Sequence, residues 1–175
     1  KNIYIKKSNI ELLENVFTQL INNSLDHGIE NEEQRLSKQK PQQGHIIISA
    51  TVAGSQLKIV IEDDGQGLDI QKLTKSAHTN EQNKISAESI SALIFEPGIT
   101  TKENATLISG RGVGMHTVKE LLIERNADIQ LELMAPLRPA TRFCPFKLII
   151  TLPAEMFLVF NDNKKTRSPT FDYMT

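Results

Sequence analysis

The chain has 175 residues, of which 39% are hydrophobic and 23% charged, enough for one domain with a core and too apolar for a disordered chain. A net charge of −1 and an aromatic content of 5% with no Trp argue against a basic nucleic-acid surface and a base-stacking platform. One cysteine, Cys144, excludes an internal disulfide framework and a thiolate-cluster zinc site, and no apolar run has membrane-spanning length or the look of a signal peptide. The expectation is a cytoplasmic domain with no nucleic-acid partner and no membrane contact of its own. A start at Lys1 without Met reads as a piece of a longer protein.

In chain order, the first predicted element is a helix from about Ser8 to Asp26. Ser8 and Glu11 fit a capping box, and Ile10, Leu13, Phe17, Leu20 and Ser24 recur at three- and four-residue steps. Gly28 supplies a stop. Residues 30–44 are polar and read as a surface loop or short helix. His45–Val52 and Leu57–Glu62 read as an antiparallel hairpin turned at Gly54-Ser55. Short helices are predicted over 69–77 and 86–95, then a long loop over 96–111 and a helix over 113–125 that buries Val118, Leu121 and Leu122. Ile129–Leu133 and Phe146–Leu152 read as two further strands. Pro153 closes the last one, which sets one domain at 1–153 and leaves 154–175 as an extension or linker, most clearly past Phe160. Hairpins rather than repeated crossovers predict an α+β fold, a mixed sheet with helices packed on one face.

Four constellations could carry chemistry. Gln19, Asn23 and His27 are spaced by four with Asp26 beside them, so they share one helix face. Taken alone this is a solvated polar face; as a site it offers an Asn oxygen suited to magnesium and a His near phosphates. Asp63-x-Gly65-x-Gly67 ends a buried strand, where an Asp needs donors such as an adenine amino group, although a plain Asp-Gly turn has the same look. Gly110-Arg111-Gly112-Val113-Gly114 precedes a helix and fits an anion site of backbone amides; the plainer reading is a flexible loop. Thr141, between Pro139 and the final strand, is either a base contact or a turn residue. No His-Glu-x-x-His, no Gly-x-Ser-x-Gly and no Gly-Lys-Ser/Thr occurs, and the four histidines lack metal spacing.

Taken together and in order, Gln19 to Glu30, Glu33, Arg35, Lys40-Pro41, Gly44, Asp63 to Leu68, Leu93 to Gly98 and Ser109 to Met115 resemble the catalytic ATP-binding domains of bacterial histidine kinases, with most likeness to the chemotaxis type. The likeness covers about residues 9–153. It implies the Bergerat ATP-binding fold of the GHKL superfamily, a two-layer sandwich with a mobile ATP lid over about 96–111. It also implies ATP and Mg2+ as cofactors, with Asn23 on the metal and Asp63, with Thr141, on adenine. Gly65, Gly67 and Leu68 would line the base. Asp26, His27 and the run Gly110, Arg111, Gly112, Val113, Gly114 and Met115 would meet the phosphates, and Phe95 would anchor the lid.

The implied reaction passes the γ-phosphate to a histidine on a separate domain, in the same chain or a partner, with a response regulator downstream and dimerisation through a domain absent here. Two departures stand out. Gln19 replaces the His usual in chemotaxis kinases and the Glu of hydrolytic relatives, and Ala140-Thr141 replaces Gly-Thr. Gln takes no proton at neutral pH, which argues against autonomous hydrolysis. A nucleotide-binding regulatory module without transfer, and a hydrolytic clamp ATPase, are the alternatives.

Overall fold

The computed structural model describes residues 2–76, 86–97, 114–138 and 141–160. In chain order the elements are β1 (Asn2–Ile5), a 3-10 turn (Lys7–Asn9), α1 (Ile10–Asn23) continued by one π turn (Ser24–Gly28), α2 (Glu32–Ser37), β2 (Ile46–Ala53), β3 (Gln56–Asp63), β4 (Leu68–Asp69), α3 (Ile70–Ser76), α4 (Ala87–Leu93), α5 (Met115–Ile123), β5 (Asp128–Leu133), β6 (Phe143–Cys144), β7 (Phe146–Pro153), a second 3-10 turn (Ala154–Met156) and β8 (Phe157–Phe160).

Period-two alternation sets the main sheet, ordered β2-β3-β7-β5. Its register lines up Ile48, Ile61, Leu148 and Leu131 in one row and Ala50, Ile59, Ile150 and Ile129 in the next. Against that face pack Leu13, Val16 and Leu20 from α1, Ile90 from α4, and Val118 and Leu122 from α5, all buried. Burying side chains of this size stabilises by roughly 1.5–3 kcal/mol each. The opposite face carries Glu62, Lys147 and Glu132 in one row, with Lys147 Nζ 2.8 Å from Glu132. This is the α+β arrangement expected, with helices on one face. The expected mixed sheet is instead antiparallel at every described pairing. β3 and β5 run the same way, but β7 inserts between them and pairs with both.

Three local expectations change. The Ser8–Glu11 capping box is not made: α1 begins at Ile10, and no side chain caps it from Asn9. The buried Asn9 carboxamide oxygen instead accepts from Arg125 Nη1 at 3.3 Å, a tertiary bond that competes with the cap. The helix does not stop as an α-helix near Asp26 but widens into the π turn, closed by Ile29 N–H to Ser24 O at 2.7 Å. Past Pro153 the chain continues in regular structure to Phe160, because β8 pairs antiparallel with β1. No described helix is long and apolar enough to cross a membrane.

The largest departure lies in residues 30–44, expected at the surface. Arg35 is fully enclosed and Glu30 is 7% exposed. Arg35 Nε donates to Pro41 O at 2.7 Å and Nη2 to Gln43 O at 3.1 Å. Nη1 and Nη2 grip the two Asp64 carboxylate oxygens at 3.1 and 2.8 Å. Lys38 and Lys40 both reach Glu30 Oε1 at 2.9 Å. Asn31 and Gln34 form the capping box of α2 that starts this segment.

These contacts set the charge states. Burial pushes the Glu30 carboxyl up, but the hydrogen bonds from Lys38 and Lys40 prevail and bring it to about 2. Burial likewise opposes ionisation of Asp64, and the Arg35 guanidinium with the amide and ring of His45 brings it to about 2. Unfolded, the two groups take up protons near their ordinary values of 4.5 and 3.8. Their stabilisation is therefore complete above about pH 5 and is lost as pH falls toward about 2. The melting temperature of the domain is expected to drop between pH 5 and pH 3. The double variant Glu30→Gln, Asp64→Asn should start lower at pH 7 and lose less over that range. Parallel melting profiles for the two proteins would contradict the assignment.

Candidate functional site

The apolar stripe of α1 faces the sheet, which leaves Gln19 and Asn23 on a flank next to the start of α5. Gln19 Nε2 donates to Asn23 Oδ1 at 3.0 Å, one helical turn on. Asn23 Nδ2 donates to Met115 Sδ at 3.3 Å, which ties the end of α1 to the first residue of α5. The π turn then carries Ser24, whose hydroxyl donates to Asp63 Oδ2 at 2.8 Å.

Asp63 ends β3, the second strand of the sheet. Its Oδ1 accepts from the Gly65 amide at 3.0 Å. The carboxylate is half-buried, and among the described residues each oxygen holds one protein donor with lone-pair capacity left over. The turn after it docks on the π turn through backbone: Gln66 N–H donates to Gly28 O at 2.8 Å, and Gln66 Nε2 to His27 O at 2.9 Å. A Cβ on Gly65 would collide with the Gly28 carbonyl. Gly67 has φ 83°, and a Cβ there would lie 2.5 Å from Cys144 O. Both glycines are thus demanded by close protein backbone. Leu68 is buried in β4, paired with Cys144 of β6.

At the far side, α5 opens at Gly114, which offers no side-chain cap, and an uncapped helix start is suited to an anion. Phe95, just past α4, is buried. Its carbonyl accepts from His116 Nδ1 at 3.0 Å, so that nitrogen carries the proton, and Lys119 Nζ sits 5.0 Å from the ring centroid.

The structure therefore joins Gln19, Asn23 and Met115 in one network, and Ser24, Asp63, Gly65 and Gly28 in the adjoining one. Phe95 meets the site through α5. Asp26 and His27 are exposed on the π turn. Thr141 closes a local turn, with Oγ1 accepting from Arg138 N at 3.0 Å. Gly110, Arg111, Gly112 and Val113 lie outside the described residues, as does most of the expected lid. Sequence spacing does not single out Ser24 or Gln66 as site residues. The regular helical repeat puts Ser24 in the apolar stripe, one turn past Leu20, and only the fold shows that the stripe there meets Asp63.

The residues suit a nucleotide. A fixed carboxylate can accept from an amino group, and an uncapped helix start can take an anionic phosphate. For a cation the described residues hold no cluster of three His, Cys, Asp or Glu side chains. Magnesium needs none, since it keeps several waters and takes few protein oxygens, and Asn23 Oδ1 is of the right type.

Comparison with known proteins gives four findings. The chain is 38% identical over 130 residues to the chemotaxis protein CheA of Klebsiella aerogenes, covering 73% of this chain and 20% of that protein. It is 36% identical over 153 residues to CheA of Bacillus subtilis, covering 80% and 23%. The chain thus spans about a fifth of the length of these relatives. The nucleotide-free catalytic domain of histidine kinase ThkA is similar over 88% of this chain and 97% of its own, at 14% identity and a TM-score of 0.41. The family model described as histidine kinase-, DNA gyrase B-, and HSP90-like ATPase matches residues 8–155. With most of its length matched by that model, the chain belongs to the family of histidine kinase-, DNA gyrase B- and HSP90-like ATPases.

Proposed function

We propose that the chain is the ATP-binding catalytic domain of a histidine kinase in two-component signalling, binding Mg-ATP and delivering its γ-phosphoryl group to a histidine on a separate domain. The observation that carries this reading is the Asp63 carboxylate, held by Ser24 and the Gly65 amide at the end of β3, with the Asn23–Met115 junction one residue along the helix from Ser24.

In this reading Asp63 accepts from the adenine amino group, with Leu68 and Thr141 beside the base. The first amides of α5, with Gly110, Arg111, Gly112 and Val113, bind phosphate oxygens. Asp26 and His27 line the rim near the phosphates. Phe95 holds the lid's near end to α5. Asn23 Oδ1 is the protein ligand of the magnesium ion, which when bound neutralises charge on the phosphates. Catalysis is then positioning and electrostatics. The acceptor imidazole attacks the γ-phosphorus, the bond to the bridging oxygen breaks, and ADP leaves with that oxygen. Gln19 cannot accept a proton from water at neutral pH, which favours transfer over hydrolysis. The partners this implies are a phosphoacceptor domain in the same or a second chain, a response regulator after it, and a dimerisation domain elsewhere. Gln19 also leaves a second reading, a nucleotide-gated regulatory module. Nucleotide binding without transfer to any supplied acceptor domain would select it.

Calorimetric titration with ADP, with and without magnesium and against GDP, tests the pocket. Asp63→Asn is expected to weaken ADP by about tenfold to a hundredfold, because the site then holds a mispaired polar group. Unchanged affinity would remove Asp63 from the site.

Asn23→Ala is expected to abolish most of the gain in affinity that magnesium gives, with the magnesium-free value retained. An equal loss in both conditions would contradict the ligand role.

A further inference from the structure

Resting on the reading that Asp63 recognises adenine, we propose that Lys40, backed by Arg35, is a positioning residue for that recognition, holding the two peptide planes that aim the Asp63 carboxylate. The first plane joins Asp64 to Gly65. Its N–H end donates to Asp63 Oδ1 at 3.0 Å. Its C=O end accepts from Lys40 Nζ at 3.0 Å and Arg35 Nη1 at 3.4 Å. The second plane joins Gly65 to Gln66. Its N–H end donates to Gly28 O at 2.8 Å, and its C=O end accepts from Lys40 Nζ at 2.8 Å.

A peptide unit is rigid and planar, so fixing the carbonyl fixes the direction of the N–H at its other end. A cation on the carbonyl also polarises the unit and strengthens the N–H as a donor. Lys40 does this to two consecutive units at once. It is itself held by Glu30 Oε1 at 2.9 Å. Arg35 grips the Asp64 side chain at both oxygens, which stops the turn from rotating about β3. Neither cation needs to touch the nucleotide. Their action reaches it through the Gly65 amide and Asp63.

The test separates positioning from simple support of the fold. Lys40 has 29% of its side chain exposed, so Lys40→Met keeps the stem and removes only the charge and its donors. Affinities are measured for ADP and for purine riboside 5′-diphosphate, which lacks only the amino group. In Lys40→Met the ADP affinity is expected to fall about fivefold while that for the purine diphosphate stays within about twofold. Lys40→Arg, which keeps a cation, is expected to restore the preference. In an Asp63→Asn background Lys40→Met should cost nothing further. Equal losses for both nucleotides, no loss for either, or an undiminished loss in that background would overturn the proposal. If Asp63→Asn alone left ADP binding intact, the adenine reading itself would fall, which is a distinct result. Should Lys40→Met melt below the assay temperature, Lys40→Gln takes its place: a selective loss for ADP supports the proposal, and equal or absent losses overturn it.

Discussion

A guanidinium that is sealed from water has to find an acceptor for every donor, and that demand organises the region around the site. Arg35 meets it with the carbonyls of Pro41 and Gln43 and with the carboxylates of Asp64 and Glu30. Stranding such a charge costs several kcal/mol, so none of these acceptors is optional. The loop after α2 must fold back, and the end of β3 must present Asp64 inward. Three cations, Arg35, Lys38 and Lys40, face the two carboxylates of Glu30 and Asp64. Asp63, one residue along, adds the third negative charge. The cluster and the adenine-facing carboxylate of the proposed site are thus one electrostatic unit.

The turn that follows Asp63 is docked onto the π turn by main chain rather than by side chains. Gly65 has no room for a Cβ against Gly28 O, and Gly67 has none against Cys144 O. The alternate glycines are needed because backbone meets backbone on both sides of the turn. A side chain at either position would push the turn away from the π turn or from β6, and Asp63 would lose its Gly65 donor. Single π turns recur at functional sites. Here the helix stays regular through Ser24, so Ser24 reaches Asp63 and Asn23 the start of α5, and the widened turn that follows presents the His27 and Gly28 carbonyls to Gln66.

The strands of the main sheet and the core faces of the helices are legible in the sequence because their signal is periodic and local. Leu57, Ile59 and Ile61 alternate, and so do Leu148, Ile150 and Leu152. The family is legible for a different reason: several short motifs in a fixed order are specific where each one alone is not. What cannot be read there depends on partners distant in sequence. Arg35 sits among Glu, Gln and Lys, and only the fold reveals the acceptors that let it be buried. Asn9 has the chemistry of a cap, and Arg125, 116 residues away, takes its oxygen. β1 and β8 are four-residue strands that exist because they pair with each other. Ser24 does continue the stripe of Leu20, but that the stripe ends on Asp63, 39 residues away, is visible only in the fold.

The same π junction accounts for how the two ends of a nucleotide would be kept in register. Asn23 bonds Met115 at the start of α5, the phosphate end in the proposed reading, and the next residue, Ser24, bonds Asp63, the base end. Two consecutive residues of one helix thus set the spacing between the groups that meet opposite ends of the ligand. The start of α5 is held from its other flank as well, by His116 on the Phe95 carbonyl. The anchoring of α5 on both sides holds its first amides in place. In the proposed reading, base recognition and phosphate binding are thereby preorganised together, which is what phosphoryl transfer by positioning requires.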